Sequence, residues 1–334
     1  MTALLYVAFV ALVLAMLALD LGVFHRGAHV FSVREALGWT AVWVAVAMAF
    51  NVGVYFLYEH HLLGIGLEIG HALNGWEAAQ KFLAGYLVEK SLSLDNIFVI
   101  AVIFSYFRVP LMYQHRVLFW GIIGALVLRG VMIALGAALI DRFDWIIYVF
   151  GGLLLLTALK MLLAQHEKMD PGRNPLVRLA QRLYPVSLEM EGQRFFSQVN
   201  GRRAITPLFL ALLVVESSDV LFAVDSIPAI FAFTSDPFIV FTSNVFAILG
   251  LRSMYFALAA LLERFKYLKT SLVILLAYVG TKMLISDLYH IPDLVSVLAI
   301  VLILGGGILA SIVVRRPGDD PGRKLPTTLN GAAS

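Results

Sequence analysis

Apolar runs long enough to cross a bilayer, joined by short polar connections, make up most of this chain. A transmembrane helix needs roughly 17–25 mostly apolar residues. Nine such runs can be drawn, at about 3–24, 36–58, 82–106, 116–139, 144–163, 205–231, 239–262, 270–288 and 293–314. Of the 334 residues, 60% are hydrophobic and only 14% charged, against about 25% charged in a soluble domain. The fold class that follows is an all-α polytopic membrane protein. The first run lacks a basic leader and exceeds a signal-peptide core of about 7–15 residues, so it is expected to stay as a span.

The connections alternate in basic content. Arg26 and Arg34 follow the first run, Arg108 and Arg116 the third, and Arg264, Lys266 and Lys269 the seventh. Seven basic residues lie between 164 and 204, whereas AFTSDPFI and SDLYHIPD carry none. Lysine and arginine collect on the cytoplasmic side. The expected orientation is N-terminus outside and C-terminus in the cytoplasm, in a cell's inner membrane. The net charge of +3 is therefore topological, not a nucleic-acid footprint. Cysteine is absent, which excludes disulfides and thiolate ligands for soft metals.

Three polar landmarks recur in order. DNIFVI at 95–100 is echoed by DVLFAV at 219–224. Asp95 lies 34 residues before Arg129, and Asp219 lies 33 before Arg252. Arg129 lies 31 residues before Lys160, and Arg252 lies 30 before Lys282. The two units start three helices apart, so the second runs upside down relative to the first. Inverted repeats are a hallmark of secondary transporters, with sites near the midplane at the repeat interface. The expected organisation is two peripheral spans (1–81), a three-helix repeat (82–163), a cytoplasmic linker (164–204), the inverted repeat (205–288), then a ninth span and disordered tail (289–334). Within the linker, LVRLAQRLY reads as a short amphipathic helix and QVNGRR as a tight turn.

A charge in mid-bilayer costs about 2.5–3.5 kcal/mol on insertion scales, so it must pair or line a wet cavity. Five acids fall on the two helices that head the repeats: Glu89 and Asp95 on one, Glu216, Asp219 and Asp225 on the other. Asn96, Ser91, Ser217 and Ser218 accompany them. Oxygen donors of this kind suit hard cations such as Mg²⁺, Ca²⁺ and Mn²⁺. Pro228 removes a backbone bond to Val224, and a break there is expected to turn Asp225 toward the other acids. Asp95, Asp219 and Asp225 are the leading candidate ligands, with Glu89, Glu216 and Asn96 behind them. Arg129, Arg252 and Lys282 are expected to pair with, orient or compete for the acids. The eight histidines lie in loops or at span ends. The segment EHHLLGIGLEIGH, with Glu59 and Glu68, reads as an ordinary interfacial loop, since no structural ligand spacing is present. The residues alone point to a transporter of a hard cation with carboxylates as proton carriers, not to an enzyme. No cofactor is expected.

EKSLSLDNIFV, taken with VESSDVLFAVDSIPAIFAFTSDPFIVFTSNVFAILGLRSMYF, closely resembles the TerC family of integral membrane proteins. DLGVFHRG, VREALGW and GTKML extend the resemblance over nearly the whole chain. The resemblance implies export of Mn²⁺ and kinship with the LysE-type exporter superfamily, whose core is an inverted pair of three-helix units. The expected partners are Mn²⁺, protons and the lipid bilayer. The alternatives are export of another hard cation such as Ca²⁺, or a membrane scaffold in a metal- or tellurite-stress complex.

Overall fold

The computed structural model describes residues 2–24, 32–66, 73–163, 171–187, 192–199, 201–259, 267–289 and 291–313. The helices are α1 (Thr2–Phe24), α2 (Val33–Glu59), α3 (Gly75–Tyr106), α4 (Leu111–Arg142), α5 (Ile146–Leu163), α6 (Pro175–Leu183), α7 (Pro207–Phe231), α8 (Pro237–Leu249), α9 (Leu251–Ala259), α10 (Leu268–Leu284) and α11 (Asp293–Val313). Each apolar run carries a helix over its described residues. By length and composition α2, α4, α5, α7 and α11 can each cross a membrane, and α8 with α9 forms a sixth candidate bent by 41°.

Local chemistry sets the helix starts. The Asn74 side chain accepts from Glu77 N at 2.8 Å and caps α3. Thr206 caps α7 and Asp236 caps α8, each followed by a proline at the first helical position. Asp236 also accepts from Tyr58 Oη at 2.7 Å, which ties the α7–α8 connection to the end of α2.

The central helix is α3, which packs against α2, α7, α8 and α11. That surround explains how a helix with Glu89 and Lys90 is stable: Glu89 is 0% exposed. Around α3 the packing is reciprocal. The α3 helix meets α8 while α7 meets α4, and α5 meets α10. Small residues permit the last contact. A Cβ on Gly280 would lie 2.9 Å from the Gly151 carbonyl, and one on Gly151 would lie 3.0 Å from that of Gly280. On the outer helices, leucines and valines stay exposed, among them Leu163, Leu302 and Val313, as a lipid-facing surface requires.

The linker holds more than a helix and a turn. The amphipathic stretch does form α6, whose Val177 packs against the base of α7. The described residues of QVNGRR belong to an antiparallel hairpin, β1 (Phe196–Val199) with β2 (Arg202–Ile205), in register Val199↔Arg202. Gly201 supplies the left-handed backbone, at φ 77°, that the turn needs. Two expectations fall outside the described residues: the disordered tail, and the Glu68–His71 part of the interfacial loop.

Candidate functional site: a buried ionic knot beside a small cavity

Arg129 of α4 is the hub. Its Nε donates to Asp219 Oδ2 at 3.2 Å and its Nη2 to Asp219 Oδ1 at 2.8 Å. Nη1 is paired with Glu89 Oε1 and lies 3.2 Å from Ser226 Oγ. Asn244 of α8 closes the ring, donating from Nδ2 to Glu89 Oε2 at 3.1 Å. Four helices thus meet at one knot: α3 through Glu89, α4 through Arg129, α7 through Asp219 and Ser226, and α8 through Asn244. Arg129 and Glu89 are 2% and 0% exposed. A buried arginine with two carboxylate partners meets the pairing requirement for charge in a low-dielectric interior.

Beside the knot is a small cavity lined by Asn96, Ser218 and Asp219 together with apolar residues of α3, α4, α7 and α9. Asn96 is buried, and its Oδ1 has no hydrogen-bond partner. Glu216, one turn before Asp219, has a buried Oε2 that is also unpartnered. The Glu216 carboxylate fills the notch over Gly124 of α4, where a side chain would collide with it.

Other predicted residues lie elsewhere. Asp225 accepts from Thr157 Oγ1 of α5 at 2.8 Å and lies within the field of Lys160. The α7 helix runs unbroken through DSIPA, contrary to expectation. Pro228 stands three residues from the end of the helix, so its missing N–H removes one bond and does not divide α7. Asp225 therefore keeps its helical bearing toward α5. Asp95 is half-buried on α3 and interacts with the charge of Lys269 at the start of α10. Among the described residues, no three His, Asp or Glu side chains gather as a preformed metal cage.

The serines turn partly inward on their own helices. Ser91 bonds the Leu87 carbonyl at 2.5 Å, and Ser217 and Ser218 bond that of Val214 at 2.9 and 2.8 Å. Ser217 also accepts from Asn174 Nδ2 of the linker at 2.6 Å. Arg252 is buried on α9, next to the cavity residue Leu251. Lys282 does not serve the acids of the knot. It stands in the last turn of α10, where its ammonium reaches the first turn of α11: 3.0 Å to Ser296 Oγ and 3.8 Å to Asp293 Oδ1. It also lies 4.3 Å from the Phe233 ring centre.

Sequence reasoning missed Asn244 and Thr157. The signal for Asn244 was present, though weaker than that of a charge: an amide in the apolar run FTSNVFAILG, which is costly to bury without a hydrogen-bond partner. Thr157 gave no such signal, because a lone threonine in a span can bond its own helix.

A multi-helix bundle in which a buried ionic knot joins four helices, and whose outer helices expose leucines and valines, defines an integral, multi-pass membrane protein. Residues 74–319 match the family described as the integral membrane protein TerC family. The chain belongs to that family. It is 53% identical over 312 residues to STKORF319, an uncharacterized membrane protein of Myxococcus xanthus, covering 93% of each chain. It is 48% identical over 296 residues to the Alx protein of Escherichia coli K12, covering 88% of this chain and 90% of Alx, whose name makes it a candidate membrane-bound redox modulator. A Rickettsia felis membrane protein is 39% identical over 308 residues, covering 92% of this chain and 97% of its own. No solved structure matches the chain.

Proposed function

We propose that this protein exports a divalent cation, Mn²⁺ foremost, from the cytoplasm across the inner membrane by proton-coupled alternating access. The observation that carries the reading is the Glu89–Arg129–Asp219 knot next to a cavity with an unpartnered amide oxygen on Asn96. Carboxylate and amide oxygens suit a hard cation. Arg129 holds the two acids when no cargo is bound. A divalent ion entering beside Asn96 competes for Asp219, and the guanidinium retreats to Glu89. Glu216, close by and unpartnered at Oε2, adds a further carboxylate within one turn.

The reciprocal packing of α3–α8 with α7–α4, and of α5 with α10, supports the inverted repeat, since exchanging the two units leaves the scheme unchanged. The bent pair α8–α9 counts as one span in that scheme, which gives nine spans and termini on opposite sides; the basic connections favour an outside N-terminus and a cytoplasmic C-terminus. Protons and cargo share the carboxylates, because a metal ligand must be deprotonated.

The test is purified protein in liposomes with an internal Mn²⁺-sensitive dye. Flux accelerated by an opposing proton gradient, with voltage clamped, supports the coupled exporter. Flux of Ca²⁺ but not Mn²⁺ reassigns the cargo, and no flux of either ion refutes transport. The name of the Alx relatives favours a second reading, redox modulation. The 334 residues hold no cysteine, so a thiol–disulfide step on that route would need a partner protein. A scaffold role in a stress complex predicts that the acids matter for assembly while liposomes stay silent.

A further inference from the structure

Lys90 stands beside Glu89 in the interior of the bundle, and the knot does not use it. An ammonium at such a depth must find a polar partner. Its Nζ lies 3.2 Å from the backbone oxygen of Ala247, in the last turn of α8. That oxygen is available because α8 ends at Leu249, and the last four carbonyls of a helix have no donor within it. The negative end of the helix adds attraction for a cation.

The α8–α9 span turns by 41° at Gly250. A Cβ on Gly250 would stand 2.8 Å from Lys90 Nζ and 3.1 Å from Trp43 Cβ. The glycine is thus what lets the ammonium reach the broken end. One turn earlier on α8, Asn244 donates to Glu89. Consecutive residues of α3 therefore grip α8 at two points, Glu89 through the Asn244 side chain and Lys90 through the Ala247 carbonyl.

We infer that Lys90 is a positioning residue that pins the broken end of α8 and so holds Asn244 against Glu89 of the cation site. In secondary transporters the C-terminal ends of broken helices coordinate dissolved cations. Here a tethered ammonium takes that place, so the break is held shut without a co-ion. The functional part of this inference rests on the transport reading. The structural part does not.

The test uses the full-length protein in liposomes and in nanodiscs, with Mn²⁺ as the probe. Lys90→Met keeps the chain length and drops the donor, whereas Lys90→Arg keeps a donor. Lys90→Met is expected to speed amide hydrogen exchange at residues 250–254 and to raise the KM for Mn²⁺ about tenfold, the worth of one charged hydrogen bond, with kcat within about twofold. Lys90→Arg should restore both readouts toward wild type. Gly250→Ala, which presses on the ammonium, should reproduce Lys90→Met. A general packing defect would lower the number of active molecules and leave KM alone. Unchanged exchange in Lys90→Met, or a fall in kcat at constant KM, overturns the inference. If wild-type protein carries no Mn²⁺, the transport reading fails, and the exchange measurement still decides whether Lys90 pins α8.

Discussion

Arg129 grips Asp219 with two nitrogens, Nε at 3.2 Å and Nη2 at 2.8 Å, so that α4 and α7 are joined by a bidentate pair inside the bundle. Such a fork fixes direction as well as distance. The third guanidinium nitrogen is committed to Glu89 on α3. One side chain thereby sets the relative positions of three helices.

Breaking that pair separates stability from function. Asp219→Asn leaves a buried guanidinium with one acid, and removing one partner of a buried pair costs about 3–5 kcal/mol. The variant is expected to melt earlier in detergent and to lose Mn²⁺ flux. The triple Glu89→Gln, Arg129→Met, Asp219→Asn removes all the charges together, and should regain much of the melting temperature while staying inactive. Flux in the triple would exclude these acids from the route.

Asp225 bonds Thr157 on α5, away from the knot. Asp225→Asn is expected to leave equilibrium Mn²⁺ binding within about threefold of wild type while slowing transport, whereas Asp219→Asn should abolish binding. Radiolabelled Mn²⁺ binding to purified protein separates the two. Equal loss in both variants would mean that Asp225 reaches the cargo directly.

Asn244→Ala removes the donor to Glu89 Oε2 and leaves a buried acceptor without it. Hydrogen bonds to charged groups contribute about 1.5–3 kcal/mol. Apparent Mn²⁺ affinity should fall at least about tenfold, read as KM in liposomes. Wild-type KM would mean that the amide only fills space.

Gly124 has no room for a methyl, since the Glu216 carboxylate occupies that notch. Gly124→Ala is expected to expel Glu216 and to destabilise the α4–α7 contact by about 1–3 kcal/mol, as overpacking does. Thermal melting checks the stability. Gly130→Ala, whose Cβ would meet only the Phe241 ring edge at 3.3 Å, is the milder control on the same helix.

Orientation is open to direct measurement. A reporter inserted at Gln181, among the basic residues of the linker, should read cytoplasm. One at Ser235, in a connection without lysine or arginine, should read outside. The same side for both would break the inverted repeat.

The positions of the membrane helices were legible because their causes are local. An apolar run must leave water, and a backbone in hydrocarbon must bond within its own segment. The acids of α3 and α7 were legible as interior residues for the same reason: charge cannot face lipid. Spacing along a helix also placed Glu216 and Asp219 on one face. Asn244 was overlooked because an uncharged amide raises a weaker alarm, and the hairpin at 196–205 because its turn residues announced only a bend.

What the sequence determined by itself is the class of protein, the helix-bearing runs, and the fact that Glu89, Asp219 and Arg129 must lie inside. Only the tertiary structure decided which of them meet. Arg129 and Asp219 are 90 residues apart, and Glu89 and Asn244 are 155 apart. No spacing rule within one helix reaches across to another, because facing depends on how each helix is rotated and crossed against its neighbours. The same holds for the broken span. Sequence favoured Pro228, whose ring lacks one donor but stands near the end of α7. The break falls at Gly250, where a side chain would press on Trp43 and the Lys90 ammonium, contacts that exist only once three helices are packed together.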